Sequence, residues 1–315
     1  MRFYIPAIHT TWLIIRRLQF LAYQVVLFLT FHYKTSTFEG EFSKMSNLNL
    51  NINLNLHPNS NYTLITGASS GIGYALAKVF ASNNHNLILV ARSTDKLSEL
   101  KKALQLDYKI QVEIFSTDLS VPGSAENLFN QIQQGKFNVD TLVNNAGVGA
   151  YGVFSDVSLK TTHQMLHLNI ISLTELTKLF LPYMLSGKSG KILNVASTAG
   201  FQPGPLMSVY FATKAFVLHF SEGLFEELKN TGVTVTALCP GPTESNFISV
   251  AKVEDISVFK ALKLPTSKMV AEFGYASMMK GQAVAIHGLK NKFLSFAVRF
   301  TPRSIVRKLV MKILK

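Results

Sequence analysis

Cysteine and charge are both scarce in this sequence. Cys239 is the only cysteine among 315 residues, so no internal disulfide can form, and a small secreted fold held together by disulfides is excluded. Charged residues make up 16% of the chain and hydrophobic residues 48%. This balance excludes an intrinsically disordered protein and is ample for a large buried core.

A long apolar run is also missing near the start of the chain. Residues 18–33 carry no charge, but this stretch has 16 residues, fewer than the roughly 20 that cross a bilayer. Arg16 and Arg17 before it resemble the flank of a signal anchor, yet the positive-inside rule would then place the following domain outside the cytoplasm. The two interpretations left are a segment lying at the membrane interface and a translation start at Met45.

Acidic residues are absent from residues 280–315, which carry nine basic ones, whereas 45–279 is nearly neutral. Within Ser304–Lys315, apolar and basic residues separate onto two helical faces, which predicts a basic amphipathic helix suited to an anionic membrane surface. The alternative is a helix that packs its apolar stripe on its own domain or on a second subunit. The stripe comprises Ile305, Val306, Leu309, Val310, Ile313 and Leu314.

Between the two ends, short apolar runs alternate with longer amphipathic stretches. This alternation predicts a doubly wound parallel sheet of about seven strands with helices on both faces. The predicted strands are 62–66, 87–91, 110–115, 141–143, 191–195, 233–239 and 283–286, and the predicted helices include 72–81, 94–106, 159–184 and 209–229. The predicted organisation is an apolar segment with an Asn-rich linker over 1–61, a Rossmann-like domain over 62–290 and the basic helix over 291–315.

A glycine-rich turn, Thr66–Gly73, lies between the first predicted strand and its helix. Only glycine lets a sharp strand-to-helix turn bring its backbone amides close to a phosphate, so the segment suits a dinucleotide pyrophosphate. A tight turn without a ligand is the alternative. The second strand ends at Arg92 and not at the acid that usually binds a ribose 2′-hydroxyl, which favours NADPH over NADH. A solvated arginine is the alternative there.

Tyr210 and Lys214 are four residues apart on a predicted helix, and therefore on one face of it. A lysine ammonium stabilises a phenolate and lowers the pKa of the tyrosine, which makes the phenol a usable proton donor. Ser197 follows a predicted strand and could hydrogen-bond the oxygen of a carbonyl substrate. Together with the glycine-rich turn, this order of residues predicts hydride transfer to or from a carbonyl carbon.

The motifs over residues 60–290 resemble those of the short-chain dehydrogenase/reductase family. The resemblance implies a catalytic tetrad of Asn169, Ser197, Tyr210 and Lys214, in which Asn169 holds a water of a proton relay. It also implies contacts with the adenine from Asp118 and with the nicotinamide carboxamide from Thr243. The residues predicted to contact the cofactor are Gly67, Ser69, Ser70, Gly71, Ile72, Gly73, Arg92, Asp118, Leu119, Asn145, Ala146, Gly147, Tyr210, Lys214, Pro240, Gly241 and Thr243.

The sequence therefore predicts a cytoplasmic, NADP-dependent enzyme that interconverts a carbonyl and an alcohol. Apolar residues within 244–280 hint at a lipophilic substrate such as an acyl or steroid-like ketone. A protein that binds NADPH at a membrane surface without turnover is the alternative. A metal site is not expected, because no acidic or cysteine partner completes a site with His163, His167 or His219. Self-association is compatible with the sequence, and nucleic acid is not an expected partner.

Overall fold

The structure, a computed structural model, describes residues 61–245, 247, 251 and 264–315. The predictions for the apolar segment and Asn-rich linker before Asn61 lie outside the described residues. The same holds for most of the apolar residues that suggested a lipophilic substrate, namely Ile248, Val250, Val258, Phe259 and Leu262.

The described chain forms one seven-stranded sheet in which every neighbouring pair of strands is parallel. Its spatial order is β3-β2-β1-β4-β5-β6-β7, so the order reverses between β1 and β4. The strands are β1 (Asn61–Thr66), β2 (Asn86–Ala91), β3 (Val112–Ser116), β4 (Asn138–Asn144), β5 (Gly190–Val195), β6 (Val233–Cys239) and β7 (Val284–Ile286). This arrangement confirms the predicted Rossmann-like fold.

Helices cover both faces of the sheet. They are α1 (Gly71–Ser82), α2 (Thr94–Tyr108), α3 (Ser124–Gln134), α4 (Leu159–Leu166), α5 (Ser172–Ser186), α6 (Ser208–Glu227), α7 (Ser267–Met279), α8 (Leu289–Ala297) and α9 (Arg303–Leu314). Short 3₁₀ turns occur at Phe154–Asp156, Thr198–Phe201 and Val298–Phe300.

Successive residues of a strand face opposite sides of the sheet, and β1 shows why these strands are apolar throughout. Ile65 packs in one core with Phe80 of α1, whereas Leu64 packs in the other with Phe180 of α5. Both residues of the strand are fully buried. A strand covered on both faces needs apolar residues at every position, which explains the continuous runs in the sequence.

The predicted single helix over 159–184 is wrong in one respect. After α4 the backbone widens into a π-helical turn, His167–Ile171, before α5 begins at Ser172. Such a turn adds a residue without interrupting the helical run, so hydrophobic periodicity alone does not reveal it. The turn places Asn169 on the buried side of the segment.

The predicted basic helix over 291–315 is in fact two helices, α8 and α9. Thr301 is extended and Pro302 precedes α9, as expected because proline disfavours helical backbone in the residue before it. The stripe divides between the interior and solvent: Val306 and Leu314 are buried, whereas Ile305 and Leu309 are about half exposed, at 48% and 52%. None of the helices within the described residues has the length and hydrophobicity needed to cross a membrane.

Candidate active site

The candidate site lies where the strand order reverses, at the carboxyl ends of β1 and β4. A cavity of about 640 Å³ opens there, in the crevice where parallel α/β sheets bind ligands. It is lined by every residue that the sequence predicted for catalysis or cofactor binding except Gly73 and Asn169. The fold therefore brings together segments from both halves of the sheet.

The glycine-rich turn joins β1 to α1 and has a backbone that only glycine accommodates. Gly67 has φ of +68°, and a Cβ at Gly73 would lie 2.3 Å from the carbonyl oxygen of Gly67. Gly73 therefore does not line the cavity, and its missing side chain leaves room for the backbone of Gly67. The turn leads into the amino terminus of α1, where free backbone amides favour an anion such as a pyrophosphate.

Thr66 and Asn145 hold this turn against the end of β4. The Thr66 hydroxyl accepts hydrogen bonds from the backbone amides of Asn145 and Ala146, both at 3.0 Å, and donates to the Val143 carbonyl at 3.2 Å. The Asn145 side-chain amide donates to the carbonyl oxygen of Thr66 at 2.9 Å. These bonds hold together the ends of two strands that are far apart in sequence, and they account for the asparagine at position 145, directly after β4.

Ser197, Tyr210 and Lys214 meet at the other side of the cavity. Ser197 follows β5, and its hydroxyl accepts a hydrogen bond from the amide of Ala199 at 3.1 Å. Tyr210 and Lys214 lie one turn apart on α6, and the Lys214 ammonium lies 5.9 Å from the centroid of the Tyr210 ring. The same ammonium donates to the backbone carbonyl of Val195 at 2.7 Å. The three side chains thus form one cluster.

Burial controls the protonation of this cluster. It raises the pKa of Tyr210 to about 12, and hydrogen bonding by Ser197 acts in the opposite direction. Burial also lowers the pKa of Lys214 to about 8. The sequence predicted that Lys214 would lower the pKa of Tyr210, but the dominant effect is burial, which raises this pKa and favours the neutral phenol. A neutral phenol is the form that can donate a proton.

Asn169 lies behind the cluster and does not line the cavity. Its side-chain oxygen accepts from the amide of Val148 at 3.0 Å, while its side-chain nitrogen donates to the carbonyl of Val148 at 2.9 Å and to the hydroxyl of Thr213 at 3.0 Å. Asn169 therefore joins the loop after β4 to α6 next to Lys214. These contacts use its polar atoms to position the two segments, and the water contact that the resemblance implies stays a prediction.

Arg92 and Asp118 lie at the opposite end of the cavity. Arg92 is exposed at the end of β2 and lines the cavity, and among the described residues no carboxylate lies within salt-bridge distance of it. Burial alone would raise the pKa of Asp118, but two hydrogen bonds from Ser120 and the charge of Arg92 give a net lowering. The Arg92 guanidinium and the carboxylate of Asp118 are thus close enough to interact electrostatically.

The turn after β6 completes the site. Thr243 is buried and donates its hydroxyl hydrogen to the carbonyl of Gly241 at 2.9 Å, and the carbonyl of Pro240 accepts from the amide of Thr198 at 2.9 Å. Pro240, Gly241 and Thr243 all line the cavity. The histidines lie elsewhere: His163 and His219 are exposed, and His167 contacts Ser172 and the Leu119 carbonyl.

Sequence reasoning missed the contribution of α8 and α9 to the cavity. Residues of both helices line it beside Tyr210 and Phe247. An apolar stripe was visible in α9, but periodicity cannot say which surface a stripe meets. The lining residues from these helices are Lys290, Asn291, Leu294, Ser295, Val310, Ile313 and Leu314.

A doubly wound parallel sheet, a glycine-rich first turn and a buried Ser-Tyr-Lys cluster in one crevice define a dinucleotide-dependent oxidoreductase. The family model "short chain dehydrogenase" matches residues 61–254, and the chain belongs to this family. It is 31% identical to the very-long-chain 3-oxoacyl-CoA reductase of Anas platyrhynchos, over 80% of this chain and 79% of that protein. The predicted enzyme class is confirmed.

Solved structures agree with this assignment. A short-chain dehydrogenase from Sphingobium yanoikuyae in complex with NADPH superposes with a TM-score of 0.69 at 30% identity, over 76% of this chain and 94% of that chain. A short-chain dehydrogenase/reductase from Burkholderia phymatum in complex with NAD gives a TM-score of 0.67 at 24% identity, over 76% and 92% of the two chains, which is a likeness of fold. Both nicotinamide cofactors therefore occur among proteins with this fold.

Proposed function

We propose that the protein is an NADP-dependent reductase of lipophilic ketones or aldehydes that uses a tetrad of Asn169, Ser197, Tyr210 and Lys214. The observation that carries the proposal is the position of Ser197, Tyr210 and Lys214 in the same cavity as the glycine-rich turn. The family acts on carbonyl and alcohol groups, and this cluster supplies a proton donor next to the site where a nicotinamide would bind.

The residues of the cavity fit a dinucleotide. Gly67 and Gly73 allow the close backbone approach that a pyrophosphate needs, and a side chain at either position would clash with the backbone of the turn or of Ala146. Arg92 lines the cavity and makes no salt bridge to a carboxylate among the described residues, so its guanidinium suits the 2′-phosphate of an adenosine ribose. Bound NADPH would supply the hydride that reduces the carbonyl carbon.

The protein's own side chains would donate the proton and stabilise the charge that its transfer leaves. The Ser197 hydroxyl donates a hydrogen bond to the substrate oxygen, and Tyr210 transfers its phenolic proton to that oxygen as negative charge develops there. Lys214, when charged, stabilises the phenolate that this transfer leaves behind. Asn169 positions α6 and the loop after β4, so that the cluster keeps its geometry.

The lining around Tyr210 supports a lipophilic substrate. Phe247 packs on the Tyr210 ring with centroids 5.1 Å apart, and Met207, Phe211 and Leu314 line the same region. These side chains offer few hydrogen-bonding groups, so an apolar substrate would bury its surface there without leaving polar atoms unpaired.

A carbonyl panel tests this function. Purified protein should oxidise NADPH in the presence of aryl or long-chain alkyl ketones, with a higher kcat/KM than for acetone, and NADH should be a poorer donor. Binding of NADPH without turnover of any carbonyl in the panel would instead support the alternative, a protein that binds the cofactor at a membrane surface.

We also propose that α8 and α9 contact an anionic membrane surface. Leu289, Phe293, Phe296 and Phe300 are 88%, 70%, 58% and 72% exposed, an unusual density of large apolar side chains on a surface. Residues 280–315 add nine basic and no acidic side chains around them, which complements anionic headgroups.

Vesicle sedimentation tests the membrane contact. The protein should bind vesicles containing phosphatidylserine at low salt, bind phosphatidylcholine vesicles weakly, and dissociate as salt rises. Phe293→Ser with Phe300→Ser should weaken binding, whereas Leu106→Ser with Leu159→Ser should not, although Leu106 and Leu159 are 82% and 69% exposed elsewhere on the surface. Loss of binding in both double variants would argue against a specific surface. A cytoplasmic location and self-association remain predictions.

A further inference from the structure

The inner side of α9 closes one side of the cavity next to Tyr210. Val310 and Leu314 line the cavity and pack in one apolar cluster with Tyr210 and Phe247. Leu314 is only 6% exposed. From this contact we infer that Leu314 and Val310 limit the bulk of the substrate, so that α9 is a specificity-determining wall. The inference rests on the proposed function, because it requires that a carbonyl compound binds beside Tyr210.

Two stripes on α9 divide the helix into a wall and an outer surface. Residues four apart lie almost above one another, so Val306, Val310 and Leu314 form one line, and Ile305, Leu309 and Ile313 form the adjacent line. The first line faces the domain, whereas the members of the second are 46–52% exposed. Val310 and Leu314 of the first line reach the cavity, together with Ile313 at the end of the second line, whereas Ile305 and Leu309 do not line it.

A hydrogen bond fixes the end of this wall. The Tyr151 hydroxyl, on the loop after β4, donates to the backbone carbonyl of Leu314 at 2.7 Å. Carbonyls in the last turn of a helix have no partner within the helix, so Tyr151 satisfies one of them. Because Tyr151 also packs in the cluster with Tyr210, the tether holds Leu314 at a set distance from the reacting group.

This position predicts opposite effects for smaller and larger side chains. Leu314→Ala removes wall volume and should favour a bulky ketone, while Leu314→Phe adds volume and should disfavour it. The ratio of affinities for a bulky and a slim ketone isolates this effect, because losses of stability or cofactor binding affect both ketones equally. A change of a few methylene groups in an apolar pocket alters such ratios by about tenfold or more.

The experiment measures the dissociation constants of benzophenone and acetophenone by calorimetry, with the protein saturated with NADP⁺ so that no reduction occurs. Relative to wild type, the preference for benzophenone should rise about tenfold in Leu314→Ala and fall about tenfold in Leu314→Phe. Leu309→Ala is the matched control, since it makes the same substitution on the exposed line of the same helix. It should leave the preference unchanged. Val310→Ala is the milder second variant and should shift the preference in the same direction as Leu314→Ala.

The outcomes separate this inference from the proposed function. If wild type binds neither ketone, the proposed function fails and the inference fails with it. If both ketones bind but the ratio stays within twofold of wild type in the folded Leu314 and Val310 variants, the inference alone is overturned. An equal shift in Leu309→Ala would also overturn it, because the cause would then be loss of helix stability. Should Leu314→Ala not fold, the Val310→Ala ratio decides.

Discussion

The two ends of the cavity are built in different ways. The cofactor end depends on short motifs that directly follow β1, β2 and β4, and hydrogen bonds from Thr66 and Asn145 hold it in place. The substrate end depends on apolar packing of α9, more than 90 residues after Tyr210 in sequence, against Tyr151 and Phe247. Local backbone chemistry can therefore specify a cofactor site, whereas the substrate site depends on which distant elements meet. Tyr210 lies at the junction between these two ends, and the substitutions considered next change one end or this junction.

The largest effect is expected at the junction, in Tyr210→Phe. Removing the phenolic hydroxyl takes away the proton donor but leaves the ring that packs against Phe247. Reduction of any accepted ketone should fall by at least about a hundredfold, the scale of general acid catalysis, with the Kd for NADPH nearly unchanged. Steady-state kinetics and fluorescence titration measure the two quantities. Tyr108→Phe, far from the cavity, is the control, and more than a few per cent residual activity in Tyr210→Phe would contradict the mechanism.

Thr66→Val should destabilise the cofactor end of the cavity. This change keeps the shape of the side chain but leaves the amides of Asn145 and Ala146 without their acceptor, at about 1–3 kcal/mol for each buried group left unpaired. The free energy of unfolding and the NADPH affinity should both fall, as measured by denaturant titration and calorimetry.

Thr236→Val is the matched control for that change. Its hydroxyl is buried in β6 and has no hydrogen-bond partner among the described residues, so the same substitution removes an unpaired polar group and should be neutral or stabilising. Equal destabilisation by the two substitutions would show that the Thr66 hydrogen bonds do not hold the turn.

Cofactor choice should respond to Arg92→Ala. If the guanidinium binds a 2′-phosphate, the Kd for NADPH should rise about 10-fold to 100-fold, the scale of a hydrogen bond to a charged group, and the Kd for NADH should stay constant. Arg299→Ala controls for the loss of one surface charge. Equal losses for both cofactors would make Arg92 structural and remove the support for NADP preference.

Activity should fall as pH rises through about 8, where Lys214 loses its proton. The neutral amine no longer stabilises the phenolate, so kcat/KM for reduction should decrease as the pH rises above about 8. Stability should change in the opposite direction: the lowered pKa means that the unfolded chain binds more protons between pH 8 and 10, and the contribution of Lys214 to stability rises over that window. A pH profile that is flat to pH 10 would contradict this assignment, and thermal unfolding at each pH excludes denaturation as the cause.

The smallest effect is expected at the substrate end, in Tyr151→Phe. The variant loses one hydrogen bond, at about 0.5–1.5 kcal/mol of stability, and frees the last turn of α9. KM for a bulky ketone should change severalfold while the Kd for NADPH remains constant. Tyr183→Phe on α5 is the control. A change in NADPH affinity would mean that the two ends of the cavity are coupled.

The sequence by itself determined the fold class, the glycine-rich turn and the Ser197–Tyr210–Lys214 order. These features are local: parallel strands covered on both faces must be apolar throughout, a close phosphate approach requires glycine, and two side chains four residues apart share a helix face. Hydrophobic periodicity could not reveal the π-helical turn at Asn169, because the apolar pattern continues through an inserted residue.

The tertiary structure alone decided the raised pKa of Tyr210, the split of the α9 stripe and the wall that α9 forms beside the active site. Burial depends on the packing of all neighbouring elements, so a spacing of four residues could not show that desolvation raises the pKa of Tyr210. An amphipathic pattern likewise states that a stripe needs a partner but not which one. Here Leu314 is buried and lines the cavity, whereas Leu309 is half exposed to solvent, although both belong to the same apolar pattern.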